Sequence, residues 1–313
     1  FLPHTVVDHT HATAFLSLAN LPDPKAILRE IFGNSLVLVP YIMPGFSLAK
    51  VAAEVAESNP KAKGLLLLKH GHFTWGQSAK ESYLRVIEQT NLVEKWFADR
   101  RRRANIRVKK DLKINDRSLI GMIKKALFEI SEEPKPSVVL NILKDETISA
   151  QVDKHITDGL VDRGVATPDH VIRIKPKPWI LTRSMQIEGQ KAINDGLETY
   201  ISDYKRYFMK WSAQADEPKT MLDPKPKVVW VEGFGLIGIG RSLKEAKTII
   251  DIAVQNILVI TDSEGAGGFY PVKNKDLFDM EYWSLEQAKL KTISSLPLQG
   301  KIALVTGAAG GIG

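Results

Sequence analysis

Apolar positions in this chain fall into two patterns, short continuous runs and longer stretches at helical spacing. Together they predict an α/β protein. Leu36–Ile42, Gly64–Leu68 and Lys227–Val231 read as strands, with Pro44-Gly45 as a turn after the first. Residues 5–19 mix short β-type and apolar runs, and Lys25–Phe32 reads as a short helix. From Ser47 to Ser58, Leu48, Val51, Ala52 and Val55 recur at helical spacing, with Ser47 as the expected cap. Ser78-Ala79-Lys80-Glu81 has the form of a capping box for a helix reaching about Asp99, and Ser242-Leu243-Lys244-Glu245 repeats it for a helix reaching about Gln255.

That repetition extends further. Setting Gly71 on Gly235 also matches Gly76 with Gly240, Ser78 with Ser242, Lys80 with Lys244 and Glu81 with Glu245, a constant offset of 164 (235 − 71). Asp8-His9 matches Asp169-His170 at an offset of 161 (169 − 8). Two motifs in one order at nearly one offset predict an internal duplication. On this alignment His11 becomes Ile172 and His70 becomes Phe234, so the second copy is expected to lack whatever those histidines do.

A length of 313 residues allows two domains with separate cores. Cys is absent, which excludes disulfides and thiolate metal sites; a transition metal must be held by His, Asp or Glu. The formal charge of +7 owes much to Arg100–Arg103 with Arg107, Lys109 and Lys110. That run lacks interleaved aromatics and any nucleic-acid fold signature, and it reads as a solvated connector rather than a nucleic-acid site. A mildly basic protein also suits an anionic sugar-phosphate substrate. No apolar run approaches the roughly 20 residues of a membrane span, so a cytoplasmic protein without membrane contact is expected. The chain opens on Phe1 and stops inside a glycine-rich motif, as expected of an internal piece of a longer polypeptide.

Candidate chemistry gathers in two segments. Side chains two apart on a strand share a face, so His9 and His11 of Asp8-His9-Thr10-His11 are expected to converge. His70 follows a buried strand, just before Gly71, where the backbone can turn sharply. Three imidazoles meeting at one point with a fourth position open would suit a catalytic divalent ion. By itself a His-x-His pair with a distant His-Gly leaves metal binding open. Glu54 and Glu57 read as solvated helix positions, His72 as a pocket or loop residue, His4 and His155 as surface or boundary residues, and Trp75 and Tyr83 as core.

Val7-Asp8-His9-Thr10-His11, with the small and apolar Ala12–Asn20 after it, resembles the strand that donates two zinc ligands in the class II aldolase and adducin family. Gly64–Gly71, Phe73-Thr74-Trp75-Gly76 and Ala79–Tyr83 are similar to that family's third-ligand segment. The resemblance implies a class II aldolase-like sheet flanked by helices, with zinc on His9, His11 and His70. It also implies an acid/base Glu upstream of the His-x-His strand, before Phe1, so no catalytic base is named within the chain. Thr167–Arg173 and Phe278–Leu290 are similar to the middle region of a bifunctional family in which a rhamnulose-1-phosphate aldolase is fused to a short-chain dehydrogenase.

The two glycine-rich stretches differ. Gly233-Phe-Gly235-Leu-Ile-Gly238 fits a dinucleotide fingerprint on paper, but apolar residues continue past the glycines and Ser242 comes too late to start a helix on a pyrophosphate. Leu298–Gly313, by contrast, resembles the opening strand and loop of a short-chain dehydrogenase, with Gly307, Gly311 and Gly313 in the cofactor-loop places for NAD or NADP.

The expected organisation is therefore three-part. Residues 1–108 form the C-terminal part of a zinc aldolase domain, 112–293 a degenerate aldolase-like copy, and 298–313 the first strand of a Rossmann domain. The resemblance implies retro-aldol cleavage of a ketose 1-phosphate to dihydroxyacetone phosphate and lactaldehyde, coupled to NAD-dependent aldehyde oxidation, in a homo-oligomer. Two alternatives stay open: a non-catalytic adducin-like module, and a dehydrogenase that uses the aldolase region as scaffold.

Overall fold

The structure, a computed structural model, describes residues 2–101, 116–131, 138–289 and 304–311. The first unit runs β1 (Val6–Thr10), α1 (Thr13–Ala19), α2 (Pro24–Phe32), β2 (Val37–Val39), α3 (Phe46–Glu57), β3 (Gly64–Leu67), β4 (Gly71–Gly76) and α4 (Ala79–Arg101). Its sheet has the order β1-β4-β3-β2, antiparallel except for the parallel β2–β3 pair. The leucine run of β3 is explained by helices on both faces. Leu65 and Leu67 join Val39, Leu48, Ala56 and Trp75 in one core, while Leu66 joins Phe15, Leu18, Val93 and Phe97 in another.

The second unit runs α5 (Asp116–Glu129), β5 (Val139–Leu143), α6 (Glu146–Thr157), α7 (Pro168–Ile174), β6 (Trp179–Leu181), α8 (Arg183–Glu188), α9 (Gln190–Ser212), β7 (Val228–Val231), β8 (Gly235–Gly240), α10 (Leu243–Gly265), α11 (Asn274–Glu281) and α12 (Ser284–Lys289). Its sheet, β5-β8-β7-β6, repeats the first in order and in strand sense. Both capping boxes form. Ser78 Oγ accepts from Glu81 N and Ser242 Oγ from Glu245 N, each at 3.2 Å. The two glutamates reach back to Gln77 N (2.8 Å) and Arg241 N (2.7 Å).

The shared topology upholds the offset of 164 and overturns the offset of 161. Asp169 and His170 lie on α7, a helix, whereas His9 lies on a strand. Strand register gives the true counterparts. His9 pairs with Phe73 and Ile142 with Ile237, so Ile142 stands for His9 and Lys144 for His11. Phe234 does stand for His70, closing the β7–β8 turn with its amide on Val231 O (3.1 Å) as His70 does on Leu67 O (3.2 Å). Lys144 Nζ sits 4.3 Å from the Phe234 ring centroid, a cation–π contact where the first unit has imidazoles.

Several local expectations shift. Residues 5–19 resolve into a strand and a helix. The cap of α3 is Gly45, with φ 145°, and Ser47 falls inside the helix. Helix α10 continues ten residues past Gln255, because Ile257, Val259 and Ile260 are buried and carry the apolar face onward. In the first glycine-rich stretch, Gly235 and Gly238 belong to a strand. A Cβ on Gly238 would stand 2.5 Å from Ala246 O, so this glycine lets α10 pack close to the sheet.

The two units share a core. Leu16 of α1 packs among residues of the second unit, including Ile257 and Ile260 of α10. Asn20 Nδ2 donates to Ala166 O (2.9 Å), Ser263 Oγ to Ser17 O (3.0 Å), and Tyr270 N to Asn20 O (2.8 Å). Among the described residues no helix is long and apolar enough to cross a membrane. Most of the basic run lies outside the described residues; Arg100, which is described, stacks 3.3 Å from the Trp96 ring centroid.

Candidate metal centre

Strand β1 ends at Thr10, so His9 leaves from the sheet while His11 follows the strand's end, just before α1. His70 sits in the β3–β4 turn. The strain of that turn falls on Lys69, at φ 56°, rather than on Gly71. Gly71 serves a different purpose. A Cβ there would stand 2.7 Å from His11 Cδ2, 2.8 Å from His9 Cε1 and 2.8 Å from Thr10 O, so only glycine leaves room for both rings.

His9, His11 and His70 come together, with one ring nitrogen from each within 4.8 Å of the others. Ring centroids are 4.8 Å apart for His9–His11, 5.1 Å for His9–His70 and 5.3 Å for His11–His70, all edge-on. His9 Nε2 and His11 Nε2 are 3.0 Å apart. Tetrahedral zinc with bonds of about 2.0–2.1 Å needs nitrogens roughly 3.3 Å apart. The His9–His11 pair stands near that spacing, and His70 would close in by up to about 1.5 Å to complete the set around such an ion.

The surroundings suit it as well. His9 Nδ1 donates to His72 O (3.1 Å), which fixes the tautomer and turns the Nε2 lone pair toward the other rings. Burial holds the His9 pKa below its usual value, against the upward pull of the His72 carbonyl and of Asp169. Burial, then the neighbouring His9 and His70, push His11 down to about 4. Neutral imidazoles are the form that binds metal.

The other histidines have structural roles. His72 is neither a pocket nor a loop residue. It is fully buried on β4, stacks on Phe15 with centroids 3.8 Å apart and bonds Gln89 Oε1 at 2.6 Å, since its ring points into the core beneath α1 and α4. His155 is also buried, 2% exposed on α6 and bonded to Thr261 Oγ1 at 3.1 Å, contrary to a surface placement. His4 stacks on Trp75 at 4.7 Å. Trp75 is core, but Tyr83 is 60% exposed because it falls on the outer face of α4. Glu54 and Glu57 are exposed on α3.

Sequence reasoning missed the contribution of the second unit. Gln255 Nε2 of α10 donates to His11 O (2.9 Å) and to Thr13 Oγ1 (3.3 Å). Its Oε1 accepts from His170 Nε2 (3.0 Å). Only the docking of two distant helices creates this contact, and no local signal announces it.

Of the three glycines expected in a cofactor loop, Gly307 and Gly311 lie in an exposed turn closed by Gly310 N on Gly307 O (2.9 Å), with Gly307 at φ 68°. Gly313 and residues 298–303 lie outside the described residues.

Comparison with known proteins agrees with this architecture. Residues 2–97 match the family described as "Class II Aldolase and Adducin N-terminal domain", and residues 115–290 match "Aldolase class II, second domain". The chain belongs to the class II aldolase family. It is 30% identical over 323 residues to a Bacillus subtilis (strain 168) protein named "Uncharacterized oxidoreductase YuxG", matching along 100% of its own length and 46% of that protein. The chain thus spans about half the length of this relative. It is also similar to the N-terminal class II aldolase domain of a conserved Thermoplasma acidophilum protein, at 41% identity over 30% of this chain and 43% of that one, with a TM-score of 0.28.

Proposed function

We propose that this chain is the metal-bearing part of a zinc-dependent aldolase that cleaves a ketose 1-phosphate of the rhamnulose 1-phosphate type. The observation that carries the proposal is the three-imidazole cluster of His9, His11 and His70, cleared for an ion by Gly71. The products would be dihydroxyacetone phosphate and lactaldehyde. The C3–C4 bond breaks as the C4 hydroxyl gives up its proton, the bonding pair moves onto C3 beside the C2 carbonyl, and a proton returns to C3. Zinc, when bound, supplies a Lewis acid for the negative charge that develops on the carbonyl side.

The residues of the cluster divide the work. His9, His11 and His70 would hold the ion, His72 O orients the His9 ring, and Gly71 keeps the rings clear. We assign the proton shuttle to a Glu upstream of Phe1, as the family resemblance implies. In a longer polypeptide, Leu298–Gly313 would open a short-chain dehydrogenase domain that oxidises the aldehyde with NAD or NADP, Gly307, Gly311 and Gly313 lining the cofactor. A relative of twice this length named an oxidoreductase supports that arrangement.

Metal content and cleavage test the proposal together. The chain should take up about one zinc, lost in His9→Ala and His70→Ala, and the full polypeptide should release dihydroxyacetone phosphate from L-rhamnulose 1-phosphate only with these histidines intact. Uptake of no zinc would favour a non-catalytic adducin-like module. NAD-dependent aldehyde oxidation with no cleavage, indifferent to both substitutions, would favour a dehydrogenase on an aldolase scaffold.

A further inference from the structure

The second unit carries Ile142, Lys144 and Phe234 where the first has its three histidines, yet it packs against the first unit's cluster. Strand pairing does not hold His11, because the β1–β4 register ends at Thr10↔His72. The His11 peptide is held instead from outside its own unit, by Gln255 Nε2 on its carbonyl. The Gln255 amide has one sensible orientation: His170 Nε2 donates to its oxygen, which turns the NH2 toward His11 O and Thr13 Oγ1. His170 itself is 5% exposed on α7, and Gln255 is half-buried between it and His11.

A second tether reaches the other ligand segment. Lys69, next to His70 and forced to φ 56°, sends its Nζ across the unit boundary to Pro271 O (3.0 Å). Thus both ligand-bearing segments are pinned by the second unit.

We propose that the second unit is part of the metal centre: Gln255, oriented by His170, and Lys69, anchored on Pro271 O, are positioning residues that hold His11 and His70 at ligating distance. The inference rests on the zinc reading above and deepens it. It gives the second unit a purpose that does not require a site of its own.

Groups outside the ligand shell that orient metal ligands typically change metal affinity by about 10–100-fold when removed. Zinc affinity of the chain, measured by competition with a chromophoric chelator, should fall about 10-fold in Gln255→Leu and several-fold in Lys69→Met. The visible spectrum of the cobalt-substituted chain should change in both, because His11 or His70 relaxes. Ser263→Ala removes a hydrogen bond from the same α10–α1 contact, away from the histidines, and should leave affinity and spectrum as in the wild type. Circular dichroism and melting temperature check folding, with Lys69→Met as the milder variant should Gln255→Leu unfold. The proposal is overturned if both variants bind zinc within twofold of the wild type, or if Ser263→Ala weakens zinc as much as Gln255→Leu does. A wild-type chain that takes up no zinc refutes the proposed function itself, and this inference with it.

Discussion

Gly71→Ala tests the geometry of the cluster without touching a ligand. A methyl group at residue 71 would lie 2.7 Å from His11 Cδ2, 2.8 Å from His9 Cε1 and 2.8 Å from Thr10 O. Carbon atoms in ordinary contact are about 3.5–4.0 Å apart, so both rings must retreat by roughly 0.7 Å or more. Thr10 O belongs to the β1–β4 pair and cannot yield without opening the sheet edge. Overpacking of this kind costs about 1–3 kcal/mol. Metal sites tolerate about 0.2 Å in ligand distance, so the strain falls on the bound state and corresponds to roughly 5–150-fold weaker zinc. Because the strain falls on the bound state, the zinc-loaded variant should also melt lower than the zinc-loaded wild type. Chelator competition and a thermal melt measure both effects. One zinc per chain at wild-type affinity in Gly71→Ala would show that the rings do not converge on a common ion, and the clearance argument would fail.

Two further predictions concern the fold. His155 is buried and its pKa is pushed down to about 4, chiefly by burial, so the unfolded chain takes up this proton first as pH falls. Its contribution, on the order of 3 kcal/mol, is fully present above about pH 6.5 and is lost as pH falls toward 4. His155→Gln should therefore flatten the fall in melting temperature across that window, and an unchanged slope would refute the assignment. Glu281 is 1% exposed, 3.7 Å from Lys175 Nζ and accepts from Tyr204 OH at 2.7 Å. Glu281→Leu strands a buried cation and should cost about 3–5 kcal/mol. Adding Lys175→Met should recover much of that loss; a double variant no better than the single one would show that the pair is not coupled.

Local chemistry made much of this protein legible in advance. The leucine run at Gly64–Leu68 reads as a buried strand, and the two Ser-x-x-Glu boxes mark α4 and α10 because a helix start must satisfy its own free amides. The constant offset from Gly71 to Gly235 reports a true duplication, since it links strand, turn and helix cap together. Asp169-His170 misled because two residues are too few to distinguish a strand from a helix. His72 and His155 were misplaced because an imidazole in a core and one at a surface look alike until its neighbours are known.

The amino-acid order by itself determined the strands at Leu36–Ile42, Gly64–Leu68 and Lys227–Val231, the two boxed helices, their repetition at one offset and the candidate set of His9, His11 and His70, all of which follow from short-range patterns of apolar spacing, capping and residue type. The packing of α10 on α1, Gln255 reaching the His11 carbonyl and Gly71 serving as clearance for two rings were decided only in three dimensions. Each depends on atoms brought together from distant parts of the chain, whose proximity comes from burying a shared apolar core rather than from any neighbour in sequence.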